Sequence, residues 1–238
     1  MPAPTAIRWS PIAGSSQLGD EARLVQVRTP GARSEMDSPD HTIVLGSGSP
    51  RRHRMLQEAG WQVEVRPPRI DDGEIAIQAQ SPARAVLALT WFKAAQLGVL
   101  GTALVGIAAD TICVTEGEIL GKPEDALEAR EMLQRLQGRV HVTMTAVCLL
   151  KPGGSREFLL DAARVDFGVI GEPEIQAYLD SGEWEGKAGG YNLVDRQAAG
   201  WPVRCEGDPD TVMGLPMRRL QPMLRRLAGT SARPGNFT

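Results

Sequence analysis

Thr42-Ile43-Val44-Leu45-Gly46-Ser47-Gly48-Ser49-Pro50-Arg51-Arg52 is the stretch on which the fold turns. Its first four residues are apolar or β-branched and read as a short buried strand, and Gly46-Ser47-Gly48 reads as a tight turn. Ser49 is a good N-cap and Pro50 suits a first helical position. Gly60 marks the end of a helix of about 10 residues. Arg51 and Arg52 are out of place in that first turn. A helix N-terminus carries roughly half a positive charge, so each arginine costs about 0.3–1 kcal/mol unless something negative faces it. Either Arg51-Arg52-His53-Arg54 is a surface basic cluster, or the loop and helix start hold an anion such as a phosphate chain.

At 238 residues the chain has room for one large domain or two small ones. A net charge of −3 leaves no global basic field for nucleic acid, so local patches must do any anion binding. Cys113, Cys148 and Cys205 lie far apart, without metal-type spacing or an even-numbered disulfide framework. They read as buried free thiols of a reducing cytoplasm. No apolar run approaches the ~18 residues of a membrane span, and the N-terminus lacks a signal-peptide core. A soluble, cytoplasmic protein is the expectation.

Residues 1–40 are rich in Pro, Gly, Ser and Ala and read as a largely disordered extension, with a domain over 41–229 and a disordered tail over 230–238. After the opening unit, Gln62 to Val65 alternates as a strand, followed by Pro67-Pro68 and the acidic turn Asp71-Asp72-Gly73-Glu74. Ser81-Pro82 repeats the cap-plus-proline start, and the spacing predicts a helix to about Gly98. On it Val86, Leu89, Lys93 and Leu97 share a stripe. Lys93 either snorkels to an edge or reaches into a polar cleft. Leu104 to Ala109 reads as a central strand that continues past Asp110 and Thr111 to Val114. An aspartate in extended structure among apolar neighbours needs a cation, which points to a metal or general-base role over a structural one.

Ile119 to Pro123 closes a hairpin, and a helix is expected to open at Pro123 with Lys122 beside its start. That is a second cation set against a helix dipole, and two such conflicts point to one polyphosphate site. Val140 to Leu150 alternates as a strand, with His141, Thr143 and Thr145 on one face, and Glu157 to Val169 is its antiparallel return. His141 is either an acid or ligand, or a hydrogen-bonded structural group. Gly182 to Tyr191 is a glycine-dense loop carrying Lys187, explained equally by backbone approach to a ligand or by plain flexibility. A strand near Val203, turns at Gly207-Asp208-Pro209 and Gly214-Leu215-Pro216, and a helix with Met217, Leu220, Leu224 and Leu227 inward complete the chain. There is no Gly-Lys-Ser/Thr phosphate loop, no HExxH and no Ser-His-Asp elbow.

Seven short motifs in order resemble the Maf family of nucleoside triphosphate pyrophosphatases. They are Leu-Gly-Ser-Gly-Ser-Pro-Arg-Arg (45–52), Ala-Asp-Thr (109–111), Leu-Gly-Lys-Pro (120–123), Gly-Arg-Val-His (138–141), Ser-Gly-Glu (181–183), Lys-Ala-Gly-Gly-Tyr (187–191) and Gly-Leu-Pro (214–216). The resemblance implies an elongated α/β fold: a mixed twisted sheet flanked by helices, similar to the inosine triphosphate pyrophosphatase-like fold, usually as a homodimer. It implies hydrolysis of a nucleoside triphosphate to monophosphate and pyrophosphate with a divalent cation, Mg²⁺ or Mn²⁺. By motif, Asp110 takes the place of the family's general base, and Ser47, Arg52, Lys93 and Lys122 those of phosphate-contacting and catalytic residues. Arg51 and Thr111 match positions tied to substrate choice in the dTTP/UTP branch, and Lys187 matches the lysine of the glycine-rich loop. Asp110, with Asp71 or Asp72, would hold the metal.

The chain departs from the family pattern twice. Val194 stands where that loop carries a base-contacting glutamine, leaving Asn192 or Gln197 as substitutes from a shifted loop. Asp71-Asp72 replaces the usual Asp-Glu. The alternative reading is therefore a non-catalytic nucleotide-binding regulatory protein of the same fold.

Overall fold

The computed structural model describes residues 42–69, 81–98, 100, 105–151 and 153–231. The extension over 1–40, the pair Asp71 and Asp72, and the end of the tail lie outside the described residues.

A seven-stranded mixed sheet organises the chain, in the order β2-β1-β3-β5-β6-β7 with β4 also on β3. The strands are β1 (Thr42–Leu45), β2 (Gln62–Val65), β3 (Val105–Thr115), β4 (Glu118–Leu120), β5 (Arg139–Leu150), β6 (Arg156–Phe167) and β7 (Val203–Glu206). β1 runs parallel to both β2 and β3, whereas β3 through β7 pair antiparallel. The helices are α1 (Pro50–Glu58), α2 (Pro82–Gln96), α3 (Ala126–Leu136), α4 (Glu172–Asp180), α5 (Leu193–Ala198), α6 (Pro209–Met213) and α7 (Met217–Ser231).

The parallel half determines where a ligand can enter. From β1 the chain crosses through α1 to β2 on one side, then returns through α2 to β3 on the other side of β1. Because such crossovers are right-handed, the two helices fall on opposite faces of the sheet. Burial agrees. Leu56 of α1 packs with Leu45, Ile107 and Ala109, while Val86 and Ala94 of α2 pack with Ile112 and Ala108 respectively. Strand order therefore reverses at β1, and a crevice opens beyond the carboxyl ends of β1 and β3.

The core on the α1 face divides in two. One cluster gathers α1, α7 and the β1/β3 half, including Leu220, Leu224 and Leu227, which point inward as their spacing predicts. A second cluster gathers α3, α4, Tyr191, Phe167 and Trp201 around the other half. Between them runs a polar row, Thr111, Thr145 and Asp161, directly paired across β3, β5 and β6.

Two boundaries differ from expectation. α3 begins at Ala126, with the Asp125 side chain accepting from Glu128 N at 2.8 Å. Pro123 instead lies buried before it, in the turn that packs on the glycine-rich loop. Lys122 is therefore not at a helix start, and the second cation–dipole conflict does not exist. α7 continues to Ser231, past the Gly229 at which the sequence ends it.

Candidate active site

β1 is short and β3 is long, and this mismatch builds the site. β1 pairs with β3 only as far as Leu45↔Ile107, and β4 takes up pairing again at Cys113. Gly46 N donates to Ile107 O at 2.7 Å, the last bond of the β1 edge. The next carbonyl along that edge, Ala109 O, receives Arg52 Nη1 at 2.8 Å instead of a strand amide. The guanidinium thus continues the ladder into the gap.

Arg52 is buried and tightly held. Its Nη1 also donates to Ser47 Oγ at 3.0 Å, its Nη2 to Thr111 Oγ1 at 2.9 Å, and its Nε to Gly214 O at 2.9 Å. Beside it Arg51 Nε donates to Met213 O at 2.8 Å. These carbonyls close the C-terminal end of α6, where backbone oxygens lack helical partners. The arginines that oppose the α1 dipole are thus met partly by the acceptor end of another helix, so part of the negative charge their placement demands is internal. Gly214 has φ 109°, and a Cβ there would lie 3.0 Å from Arg52 Nε. The backbone must turn left-handed and approach the guanidinium closely, which only glycine allows without strain.

Ser47 gains a defined polarity from this arrangement. Its Oγ accepts from Arg52 and from Ser49 N at 3.3 Å, so its own proton remains available to an incoming oxygen.

On the opposite face, Lys93 reaches inward from α2 and places Nζ 2.6 Å from Asp110 Oδ1, with both side chains about 5% exposed. The lysine does not snorkel. The cation that Asp110 requires in an apolar setting is supplied by the fold, and removing either partner would strand a buried charge. Beside this pair is a cavity of about 340 Å³ lined by Arg66, Pro67, Pro68, Arg69, Lys93, Gln96 and Leu97. Arg69 N donates to Gln96 Oε1 at 2.8 Å, which ties the β2 end to α2. Arg66 and Arg69 add cations that sequence reasoning missed. Their only signal was two arginines flanking a proline pair.

The remaining predicted residues form a separate group. Lys187 is half-buried and its Nζ donates to Glu183 O. Burial, and then the neighbouring Arg51 charge, depress its pKa. Arg51 itself is lowered by burial, opposed by Asp195 and Tyr178. Gly189 N donates to Gly121 O at 2.9 Å, so the glycine-rich loop and the turn bearing the exposed Lys122 make one unit. Gly189 has φ 72°, and a Cβ there would sit 3.1 Å from Cys113 Sγ, so packing on β3 accounts for this glycine. Val194 is exposed on α5. Each suggested substitute for the glutamine has one end of its amide engaged by the protein. Asn192 Oδ1 caps α5 by accepting from Val194 N and Asp195 N, and Gln197 Nε2 donates to Val203 O at 3.1 Å.

His141 is structural. Its Nε2 shares a 2.7 Å hydrogen bond with Tyr191 Oη, its ring packs against Phe167, and burial lowers its pKa to about 4. Cys113 and Cys148 are buried free thiols, pushed up to about 12 and about 11 by burial.

A metal test rests on Asp110 alone. Among the described residues no group of three or more His, Cys, Asp or Glu side chains is placed to hold an ion. Mg²⁺, however, is commonly held by one or two carboxylates plus substrate phosphates and water, and the buried Asp110 carboxylate beside a cationic cavity fits that pattern. Among the described residues no helix is long and apolar enough to cross a membrane.

A family model described as Maf-like protein matches residues 42–227. A dTTP/UTP pyrophosphatase of Symbiobacterium thermophilum is 39% identical over 183 residues, covering 76% of this chain and 92% of that protein. A dTTP/UTP pyrophosphatase of Brucella abortus is 39% identical over 187 residues, covering 75% and 88%. A solved dITP/XTP pyrophosphatase of Mycobacterium abscessus aligns over 54% of this chain and 75% of its own at 16% identity, with a TM-score of 0.33, too low to carry an argument.

Proposed function

Because the chain belongs to the Maf family, we propose that it is a nucleoside triphosphate pyrophosphatase, releasing pyrophosphate from dTTP, UTP or a modified nucleotide. The observation that carries this reading is the buried Lys93–Asp110 pair beside a cation-lined cavity, at the crevice where strand order reverses.

Pyrophosphate release requires water to attack the α-phosphorus in line while charge builds on the departing diphosphate. Lys93, with Arg66 and Arg69 across the cavity, would draw that charge into the α2 side of the cleft. Ser47 would donate its free proton to a phosphate oxygen. Arg52 contributes its field and, through its protein bonds, aims Ser47 and Thr111. Asp110 would take the proton of the attacking water while Lys93 holds the carboxylate in place. Asp110, with Asp71 or Asp72, would also hold Mg²⁺ or Mn²⁺, which would supply Lewis-acid charge for the phosphates and the water. Arg51, Thr111 and Lys187 lie toward the opposite face and would meet the nucleoside. Lys122 would add charge from the adjoining turn. Val194 cannot hydrogen-bond a base through its side chain, so backbone groups, Arg51 or the remaining amide ends of Asn192 and Gln197 would substitute. A cytoplasmic homodimer completes the proposal.

A panel of nucleoside triphosphates with Mg²⁺ or Mn²⁺, assayed for pyrophosphate, tests the reading. Turnover of dTTP or UTP well above an Asp110→Asn control is expected, and no turnover above that control overturns it. The two family departures favour a second reading, a non-catalytic nucleotide-binding protein. Calorimetry showing tight triphosphate binding without turnover would establish that instead.

A further inference from the structure

The polar row crossing the α1 face has a direction that follows from hydrogen-bond bookkeeping. Thr145 Oγ1 lies 2.6 Å from Thr211 O, and a carbonyl can only accept, so the single Thr145 proton is committed there. Thr111 Oγ1 is 2.9 Å from Thr145 Oγ1. With the Thr145 proton spent, Thr111 must be the donor of that bond. Thr111 also accepts from Arg52 Nη2. Its hydroxyl thus has no proton left to offer, only one lone pair, and it is partly exposed where Thr145 is buried.

The row is anchored beyond Thr145. Thr211 Oγ1 donates to Asp161 Oδ2 at 2.5 Å, and Asp161 Oδ1 accepts from Arg219 Nη1 at 2.7 Å. Both carboxylate oxygens are engaged, which docks α6 on β6 and holds the Thr211 carbonyl over Thr145. Thr145 and Thr211 are fully buried, so water does not offer an alternative partner.

We propose that Thr145 is a specificity-determining positioning residue: it consumes the Thr111 proton and makes Thr111 an acceptor-only contact. The substrate group that meets Thr111 must then present an N–H or O–H. Two parts of a pyrimidine nucleotide carry that chemistry, the imide N–H of uracil or thymine and a sugar hydroxyl. The inference rests on the nucleotide reading above and adds to it a rule for which analogues the site rejects.

The test compares kcat/KM for UTP, CTP and 3′-O-methyl-UTP in the wild type, Thr145→Ser and Thr145→Val. CTP offers a lone pair where UTP offers the imide proton, and the 3′-O-methyl analogue does the same at the sugar. The wild type should reject one of the two by at least about tenfold, and which one identifies the contact. Thr145→Ser, which keeps the donor, should preserve the ratio. Thr145→Val frees the Thr111 proton and should recover the rejected analogue, which relief of a steric clash elsewhere would not do. Equal use of all three substrates by the wild type overturns the inference and needs no variant, so it stands even if Thr145→Val does not fold. Discrimination unchanged in a folded Thr145→Val also overturns it. Absence of any triphosphate turnover sinks the functional reading and this inference together, whereas turnover without discrimination sinks this inference alone.

Discussion

Asp110 and Thr111 are neighbours in β3, yet they face opposite sides of the sheet and meet cations of opposite character. On the α2 face, Asp110 meets a lysine at 2.6 Å next to an open cavity. On the α1 face, Thr111 meets an arginine that already makes four hydrogen bonds, to two backbone carbonyls and two hydroxyls. A lysine is a compact point charge whose proton and position respond to its surroundings, whereas a forked guanidinium commits its geometry. The difference separates labour across one strand. The Arg52 side holds the loop, the strand edge and α6 in register, while the Lys93 side sets a buried ion pair against the cavity to which the proposed reaction is assigned.

That contrast can be broken most forcefully at Lys93. Lys93→Met leaves the Asp110 carboxylate buried without its cation, and should cost about 3–5 kcal/mol of stability as well as nearly all turnover. Chemical denaturation alongside the pyrophosphate assay measures both. Arg52→Lys retains the charge but cannot span four acceptors, and on the order of 3 kcal/mol should be lost as buried carbonyls and hydroxyls go unpaired. Its activity loss should appear in KM and kcat together, because Ser47 and Thr111 both lose their orientation. A change confined to KM would show that Arg52 only binds substrate.

The smallest expected effect lies away from both faces of the cleft, at His141. Burial holds its folded pKa at about 4 against an ordinary value of 6.5, so the unfolded chain binds the extra proton first. The depressed value means that its contribution is intact above pH 6.5 and is lost as pH falls toward 4. The urea midpoint should fall over that window more steeply in the wild type than in His141→Asn. Parallel curves would remove His141 from the acid sensitivity.

The residue types of the site were partly legible from local signals. A buried strand, a Ser-Pro helix start with arginines in its first turn, a lysine on an apolar stripe and an acid inside an apolar run are all short-range patterns, and they single out Arg52, Lys93 and Asp110. Ser47 is singled out only by the motif resemblance. The α1 side was less so, because its key contacts depend on cross-strand register. Nothing in the sequence aligns Thr111 with Thr145 and Asp161 until β3, β5 and β6 are paired. α6 was readable but overlooked. Asp208-Pro209 repeats the cap-plus-proline rule of Ser49-Pro50 and Ser81-Pro82, but Gly207 before it and Gly214 after it also spell turns and leave room for only one short helix. α5 carried its own N-cap in Asn192. At α3 two start signals competed, and Asp125 prevailed over Pro123 because its side chain satisfies a helix amide while the proline is buried against the glycine-rich loop. The acidic pair Asp71-Asp72 lies outside the described residues.

In the proposed mechanism, chemistry belongs to Asp110 on the α2 face while binding is spread over both. Asp110→Asn keeps the shape and a lysine-accepting oxygen but removes the base. Single-turnover pyrophosphate release from dTTP or UTP, measured beside calorimetric affinity for a non-hydrolysable analogue, separates the two directly. The rate should fall by about 10²–10⁴-fold while affinity changes little. A variant that binds normally and still hydrolyses within tenfold of the wild type would contradict the account.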